Sequence, residues 1–356
     1  MTICEETSPS IFEWDHAENW LKGRSFEIFK KADKFSCDLL EKCRLCVDEY
    51  LAKAGINQVN VCIVIIGSVG RREALEASDL DIIPVLADDE TAKLFEPHDQ
   101  PLRKKLGETL GIKVSKGEDL TKFTALSELI QDDSIGGEND GSGALTKRIL
   151  ILSESAQAGG GLLLGHVREK ILTAYAGKER TSGSHVLSLC NDLARYYRTL
   201  CIEYKAKIDV EAKDWATRNM KLRHSRKVWY FTTMFSMVML AERCPRGKNE
   251  FQEALLKAFE LSPCLRMAEL VVGRERSKLS AARILECYSI FLEFMSDNGR
   301  RQGLAKVSFV ERYKVDSANL FLALKFNSDL LHTHILTLIE SLDIEARHRI
   351  LDWFLF

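Results

Sequence analysis

The chain has 356 residues, of which 46% are hydrophobic, so it can bury the cores of two domains of ordinary size. Fifty basic residues against 52 acidic ones leave a formal net charge of −2, which argues against a chain-wide attraction to nucleic acid. The first ten residues lack the character of a signal peptide, and the longest apolar run, Val228 to Leu240, is too short to cross a bilayer. We therefore expect a soluble, cytoplasmic protein with no membrane partner.

The first part of the chain changes from helical to strand patterning. Apolar residues spaced by threes and fours predict an N-terminal helical segment within residues 1–55. The run from Val59 to Ile66 is rich in β-branched residues and is bounded by glycines, which indicates a buried strand. A second strand is predicted from Asp81 to Leu86, with an edge, a bulge or an early end at Pro84.

Shorter elements are predicted after the second strand. Residues Leu102 to Leu110 favour a short helix, and Ile112 to Ser115 a third strand. Another short helix is expected from Ala125 to Ile130. The glycine-rich stretch from Asp133 to Gly143 is typical of a loop.

From Ala144 onward the pattern is almost entirely helical, and the glycine-rich stretch from Ala156 to Gly161 predicts a hinge between domains. We predict an α+β fold in which a small mixed-sheet domain (56–158) follows the N-terminal helical segment (1–55) and precedes a helical-bundle domain (159–356). The helices predicted in this second half are Ala144–Ser153, Leu162–Ala176, His185–Lys207, Trp215–Glu242, Glu250–Leu261, Lys278–Met295, Ser317–Phe326 and Leu330–Leu342.

The segment that joins the two predicted strands, GSVGRREALEASDLD, begins at Gly67 and ends at Asp81. A glycine at a strand end allows a sharp turn, after which amide N–H groups can point at a phosphate. The hydroxyl of Ser68 adds a donor for the same oxygens. This part of the segment therefore predicts a phosphate-binding turn, followed by a helix of about two turns that returns to the sheet.

Two acidic residues end the segment. Asp79 and Asp81 are two apart, so on a strand both project to one face while Leu80 turns into the core. Neighbouring carboxylates repel each other unless a cation lies between them, and such a pair can bind Mg²⁺ or Mn²⁺. A Gly-Ser pair alone is common, and a lone Asp-x-Asp is more often a solvated edge or a cap. Their combination, in this order between two apolar strands, favours one joint site over chance.

The pattern GSxGRxExxxxSDLD resembles the signature of the DNA polymerase β-like nucleotidyltransferases, in a form similar to bacterial signal-protein uridylyltransferases and glutamine synthetase adenylyltransferases. The likeness spans roughly residues 60–240. Its later parts, Ile135–Ser155, Asn191–Lys205 and Trp215–Phe231, are similar to an uncharacterised bacterial branch with a helical C-terminal domain.

The resemblance implies a role for each matching position. Gly67 and Ser68 would bind the β- and γ-phosphates of an NTP, ATP being one candidate, and Asp79 and Asp81 would be the catalytic metal ligands for Mg²⁺ or Mn²⁺. Arg71 would neutralise phosphate, with an ion pair to Glu73 as the alternative. Many members also carry a third carboxylate on a later strand. The predicted third strand contains none, and Glu118 and Asp119, just beyond it, are weak candidates.

The predicted helical domain offers cations for a second wall of the site. Arg195 belongs to a basic stripe on the helix predicted from His185 to Lys207. On the next helix, Arg218, Lys221 and Ser225 fall within a narrow arc. We predict that Arg195, Lys221 or both face the cleft and bind nucleotide phosphate; a solvated face with ordinary ion pairs is the alternative.

Three functions remain open at this point. The first is transfer of an NMP from an NTP to a protein or small-molecule acceptor, with release of pyrophosphate. The second is a catalytically incomplete module of the same fold that senses nucleotide or mediates an interaction, which the missing third acid favours. The third, modification of RNA ends, is disfavoured because the chain is slightly acidic and shows no aromatic and basic platform for single strands.

Overall fold

A computed structural model of the chain describes residues 12–21, 26–131, 135–136, 143–178, 186–209, 214–244, 248–315 and 319–354. Most of the predicted glycine-rich loop lies outside these residues. The described part is a small mixed sheet, covered on both faces, within a mostly helical chain. The predicted fold class, a small mixed-sheet domain together with a helical domain, is confirmed.

The strands are β1 (Val61–Ile66), β2 (Asp81–Leu86), β3 (Thr124–Ala125) and β4 (Ala156–Gln157). The helices are α1 (Trp14–Leu21), α2 (Glu27–Lys53), α3 (Gly67–Gly70), α4 (Asp89–Leu110), α5 (Leu126–Leu129), α6 (Ala144–Ser153), α7 (Leu164–Lys178), α8 (Leu187–Asp209), α9 (Trp215–Lys221), α10 (Lys227–Arg243), α11 (Lys248–Glu260), α12 (Pro263–Val271), α13 (Glu275–Ser296), α14 (Asn298–Ala305), α15 (Leu320–Glu340) and α16 (Ile344–Phe354).

The sheet has the strand order β3-β2-β1-β4. Strand β1 pairs antiparallel with β2 and with β4, whereas β2 pairs parallel with β3. The predicted third strand, Ile112–Ser115, forms only an isolated parallel bridge from Val114 to Leu80. It nevertheless fixes the chain just before β2, because the Leu80 N–H donates to the carbonyl of Lys113 and the Leu80 carbonyl accepts from Ser115.

Strand β2 continues through Pro84 to Leu86, so the predicted early end does not occur. Pro84 lies opposite Ile63, whose N–H and C=O both bond to the β4 side, at Gly159 and Ala158. The nitrogen of Pro84 therefore points away from β1, toward a side on which β3 pairing begins only at Val85. The missing N–H of Pro84 therefore removes no hydrogen bond between β2 and its neighbouring strands.

Alternate residues of β1 enter two different cores. Ile63 and Ile65 pack in the cluster formed with α2 and α4. Cys62 and Val64 pack in the cluster that extends through the helices of the C-terminal half. Because both faces are covered, the strand is apolar throughout rather than alternating, which is why it is recognisable as a buried strand in the sequence.

The stretch from Ala156 to Gly161, predicted to be a hinge, is part of the sheet. It contains β4, and Gly161 donates its N–H to the carbonyl of Gln58 at 2.7 Å. A Cβ at Gly160, where φ is +82°, would overlap the carbonyl oxygen of Val61. These glycines allow the close approach of two backbones and do not provide a free joint.

The C-terminal half differs from the prediction in three places. The helix predicted from Trp215 to Glu242 is α9 and α10 joined by a π-helical turn, Leu222–Arg226. The two helices predicted after Ser317 form one helix, α15. Helices α12, α14 and α16 are not predicted. Across the described ranges, no helix is both long enough and apolar enough to cross a membrane.

Candidate active site

The turn after β1 begins with a glycine in the left-handed region. Gly67 has φ of +74°, a conformation that disfavours other residues, and it starts the single helical turn α3. Ser68 follows, half-buried, and its carbonyl accepts the N–H of Glu73 at 2.8 Å. The predicted turn thus exists, with the Ser68 side chain at the edge of an open cleft.

The helix of two turns expected after this point is absent. Helix α3 ends at Gly70, and Arg72 adopts a positive φ of 57°, which interrupts helical geometry. Gly70 has no room for a side chain, since a Cβ there would overlap the carbonyl oxygens of Glu154 and Ile65. Close packing against the sheet, rather than a longer helix, brings the chain back to β2.

Asp79 and Asp81 lie beside the turn. An added Cβ on Gly67 would be 3.4 Å from Oδ2 of Asp81, which places that carboxylate against the glycine. Asp79 is 58% exposed, and its Oδ2 is 3.7 Å from Nζ of Lys113. Leu80, between them, is fully buried. The structure therefore brings both carboxylates and the turn into one cleft, with Leu80 in the core.

The two aspartates differ in their surroundings. Burial raises the pKa of Asp81, an effect that the charge of Arg226 partly offsets and the neighbouring charges of Asp79 and Glu154 reinforce. A negative charge at Asp81 is therefore costly in the protein alone. A cation close to the pair would lower that cost.

The cleft has a volume of about 670 Å³ and lies between the sheet domain and the helices. Its sheet side carries the turn and the two aspartates, and its helical side carries several basic groups and an apolar floor from α13. The helical residues that line it include Tyr204, Thr217, Arg218, Lys221, Ser225, Arg226, Tyr288, Phe291, Leu292, Met295 and Arg301.

The predicted cations of α9 reach this cleft. Arg218 and Lys221 both line it, as does Ser225, and Lys221 is exposed. Arg226, at the end of the π-helical turn, also lines the cleft and is 20% exposed. The π-helical turn changes the phase of the helix, so the residues after it do not follow the spacing of a regular helix.

Arg195 lies elsewhere. Its Nη1 is 3.3 Å from Oδ1 of Asp192, a buried carboxylate that also accepts a hydrogen bond from Tyr175. Tyr204, nine residues further along α8, is the residue of that helix that lines the cleft. Nine residues correspond to about 13 Å of helix, so Arg195 is too far along α8 for the predicted role. The ion-pair alternative describes its position.

Arg71 belongs to a buried charge network. Its Nε is 2.9 Å from the carboxylate of Glu73, and its Nη1 bonds to Glu154. Glu73 also accepts the hydroxyl of Tyr288 at 2.7 Å, and Glu154 accepts from Arg226 at 2.9 Å. The ion pair with Glu73, the alternative to phosphate binding by Arg71, is confirmed. Arg71 still lines the cleft, where the network connects its two walls.

At Glu154, the effect of burial on the carboxyl pKa is opposed by the charges of two arginines. Burial alone would raise the pKa of its carboxyl, but the charges of Arg226 and Arg71 outweigh burial and lower the pKa. Glu154 is therefore ionised, and both of its oxygens are engaged by arginine. Sequence reasoning missed Glu154, Arg226 and Tyr288. They are 72 to 215 residues from their partners, and no local spacing joins them.

Among the described side chains, no third acidic ligand accompanies the two aspartates. Within the part of the chain that the structure describes, no group of three or more His, Cys, Asp or Glu side chains is placed to hold a metal ion. Glu118 is exposed and does not line the cleft, and the side chain of Asp119 lies outside the described residues. Neither weak candidate gains support.

Tyr204 is one of two tyrosines that line the helical side of the cleft, the other being Tyr288. Burial alone would raise the pKa of Tyr204, but the charge of Arg226 and a hydrogen bond from it, together with Lys221 and Arg71, lower the pKa overall. The lowered value indicates a positive electrostatic potential at this wall. An anionic ligand placed between the walls would experience attraction from the helical side.

Comparison with known families gives a match that covers most of helix α2 and the strands β1 and β2. Residues 30–123 match the model of the family described as "Putative nucleotidyltransferase DUF294". This range contains Gly67, Ser68, Asp79 and Asp81. No curated protein matches the sequence of the chain. This part of the chain is therefore similar to a family described as nucleotidyltransferases, and the finer resemblance to uridylyltransferases and adenylyltransferases remains a prediction.

Proposed function

We propose that this chain is a metal-dependent nucleotidyltransferase that moves an NMP from an NTP to a protein or small-molecule acceptor. The acceptor oxygen forms a bond to the α-phosphorus, and the bond from that phosphorus to the departing pyrophosphate breaks. The observation that carries the proposal is the convergence of Asp79, Asp81 and the Gly67–Ser68 turn in one cleft. The similarity of residues 30–123 to a family described as nucleotidyltransferases supports it.

The acidic pair fits Mg²⁺ or Mn²⁺ through the chemistry of its donors. Mg²⁺ is commonly held by one or two carboxylates together with substrate phosphates, so a third protein ligand is not required. Burial raises the pKa of Asp81, and a cation bound beside the carboxylate would lower the pKa again. When bound, the metal would neutralise charge on the reacting phosphate oxygens.

Other groups of the chain would bind the triphosphate and neutralise its charge. Backbone amides at Gly67 and Ser68, with the Ser68 hydroxyl, would bind the β- and γ-phosphates. Lys221, Arg218 and Arg226 line the opposite wall and would neutralise the same triphosphate. Arg71 would act indirectly, by holding Glu73 and Glu154 in place beside the turn.

We further propose the predicted division into a nucleotidyltransferase domain (56–158) and a helical domain (159–356). The cleft lies between them, and the buried network from Tyr288 to Arg226 spans both. Helix α2, from the N-terminal segment, packs in one core with the sheet, so this segment would support the catalytic domain.

A specific observation favours the second candidate function, a nucleotide-sensing module. Among the described residues, no third acidic side chain joins the aspartate pair as a metal ligand. Beside the turn, the buried carboxylates of Glu73 and Glu154 are already bound to arginine. Such a module would bind NTP between the same walls without completing transfer.

The deciding experiment separates the two. The protein is incubated in cell extract with each α-labelled NTP and Mg²⁺ or Mn²⁺, and the labelled molecule is identified. Transfer from α-labelled but not γ-labelled nucleotide supports the nucleotidyltransferase. No transfer from any NTP, together with a nucleotide-dependent rise in the melting temperature, would leave the sensing module.

A further inference from the structure

A second pocket lies behind the phosphate-binding turn, on the other side of Arg71 from the cleft. It has a volume of about 240 Å³, and Gly70, Arg71 and Arg72 form one wall. Ser155 and Arg168 form another wall, and the segment that joins α11 to α12 forms a third. We call it the rear pocket. Its size suits a small metabolite rather than a nucleotide.

Arg168 is the first unusual feature of the rear pocket. Its side chain is 4% exposed, and its guanidinium donates to the carbonyls of Ile151 and Ser155 at 3.0 and 2.7 Å. Burial lowers its pKa to about 10, and the charge of Glu260 offsets burial only in part. Among the described residues, no carboxylate lies within 4.0 Å of Arg168, so its positive charge is buried without an ion pair.

Arg266 adds a second buried charge. It is fully buried, and its Nη2 donates at 3.0 Å to the carbonyl of Ser153, which lines the rear pocket. Its guanidinium lies 4.8 Å from the ring centre of Phe259, another lining residue. Nε and Nη1 of Arg266 have no hydrogen-bond partner. Donors left unpaired in this way are costly unless a ligand or water satisfies them.

Apart from Glu260, the other charged features around the rear pocket are also positive. Arg72 lines it, and the nearest oxygen of its partner Asp33 is 3.9 Å away, which is a loose contact. Helix α12 begins at the pocket with Ser262, which makes no side-chain cap, and Pro263, so the positive end of the helix dipole lies at this wall. Glu260, exposed, is the acidic side chain on the opposing side.

We propose that the rear pocket is a binding site for a small oxyanion, a phosphate- or carboxylate-bearing metabolite, held by Arg72 and Arg168. This site is separate from the proposed catalytic cleft and does not depend on it. A bound anion would contact the chain at Gly70 and Arg71, immediately after the phosphate-binding turn. Arg71 lines both cavities, so occupancy of one can influence the other.

Isothermal titration of the full chain with inorganic phosphate and with malonate, at constant ionic strength and without nucleotide or divalent metal, tests the proposal. We expect saturable binding below about 10 mM of at least one anion. Phosphate binding alone indicates a phosphate-bearing ligand, and malonate binding alone a dicarboxylate; either result supports the site. Failure of both anions to bind in this range overturns it.

Variants locate the anion. Arg72→Gln changes a half-exposed side chain and should weaken binding at least tenfold, whereas Glu260→Gln removes the opposing charge and should tighten it two- to threefold. Arg276→Gln, at an exposed arginine that lines neither cavity, should have no effect. Arg168→Met is a harsher variant, because it also removes three hydrogen bonds from Arg168 to Ile151 and Ser155 and is therefore expected to destabilise the fold.

The catalytic cleft provides the decisive comparison. Lys221→Ala should leave anion binding unchanged if the ligand occupies the rear pocket. Weaker binding in Lys221→Ala with unchanged binding in Arg72→Gln would show that the anion occupies the cleft and would overturn the proposal. Equal weakening in Arg72→Gln and Arg276→Gln would reduce the effect to general electrostatics and would overturn it as well.

Discussion

Two pairs of acidic residues lie close in space to the same turn, and their surroundings are opposite in character. Glu73 and Glu154 are buried, and arginine side chains bond to both. Asp79 and Asp81 have no arginine within 4.0 Å among the described residues, and the exposed Lys113 lies 3.7 Å from Asp79. The first pair is neutralised by arginine, and the second is not, which is the arrangement that the proposed metal site requires.

The difference separates structural acids from candidate catalytic acids. A buried carboxylate between two guanidinium groups is stabilised in its ionised form, as the lowered pKa of Glu154 shows. A partly buried carboxylate with no such partner has a raised pKa, as at Asp81. Sequence spacing alone gives no means of distinguishing these two situations.

The largest expected effect comes from the aspartate pair. Replacing Asp79 or Asp81 with Asn keeps the shape and removes one charge, so nucleotide transfer and pyrophosphate release should fall by a factor of about a thousand or more. Folding should be unaffected, because a repulsion between two carboxylates is relieved. Activity assays and thermal melts of both variants measure the two effects. A loss of activity accounted for by unfolding would show that these residues are structural.

The buried pair should behave in the opposite way. Glu154→Ala leaves Arg71 and Arg226 buried without their shared partner, which should destabilise the fold by about 3–5 kcal/mol, measured by denaturant unfolding. Glu41→Ala, which breaks the exposed pair with Arg44, is the matched control and should change stability little. Similar effects of the two variants would contradict the importance of the buried network.

A buried neutral group extends the comparison to pH. His224 is fully buried, its Nδ1 is 2.9 Å from the carbonyl of Met220, and burial lowers its pKa to about 4. The unfolded chain takes up a proton below about pH 6.5, but the folded protein does so only near pH 4. Stability should therefore fall by about 3 kcal/mol as the pH drops through this window.

The slope of stability against pH measures this contribution. In His224→Gln the part of the slope between pH 6.5 and 4 should largely disappear, whatever the absolute stability of the variant. His348→Gln, at an exposed position, should keep the slope of the unmodified protein. An unchanged slope in His224→Gln would assign the acid sensitivity to other groups.

The smallest effect is expected at the helical wall. Lys221 is exposed and lines the cleft, so Lys221→Ala should raise the KM for NTP about tenfold with little change in melting temperature. Arg195→Ala is the matched comparison from the same prediction, and its position beside Asp192 leads us to expect an unchanged KM. A larger effect on KM at Arg195 than at Lys221 would reverse this assignment of the wall.

The sheet side of the site is predictable because it is determined by residues that are close together in the sequence. The turn at Gly67 and the Asp-Leu-Asp sequence at the start of β2 follow from strand ends and from period two, and β2 itself has the predicted bounds. The glycines at 159 to 161 are misread for a physical reason. Composition cannot distinguish a glycine that frees the backbone from one that admits a neighbouring strand.

The helical side depends on contacts between distant residues. A π-helical turn arises from packing and has no reliable spacing in sequence, so the position of Arg226 in the cleft is not predictable. In the sequence Glu154 follows a helix and resembles an ordinary surface acid. Only the folded structure shows its contacts with Arg71 and Arg226. The assignment of Arg195 to the cleft rests on helical periodicity, which predicts the face of the helix on which a residue lies. Periodicity does not predict how far along α8 the cleft begins, and Arg195 does not line it.

The most direct test of the central claim, that Asp79 and Asp81 work through a bound cation rather than through the fold, is a metal titration followed by thermal melting. Mg²⁺ is added with each of the four NTPs to the unmodified protein, to Asp79→Asn and to Asp81→Asn. We expect metal and nucleotide together to raise the melting temperature of the unmodified protein, because ligands that bind the native state stabilise it. The rise should shrink in both variants, whose melting temperatures without metal are equal or slightly higher. A rise of the same size in all three proteins would contradict the account.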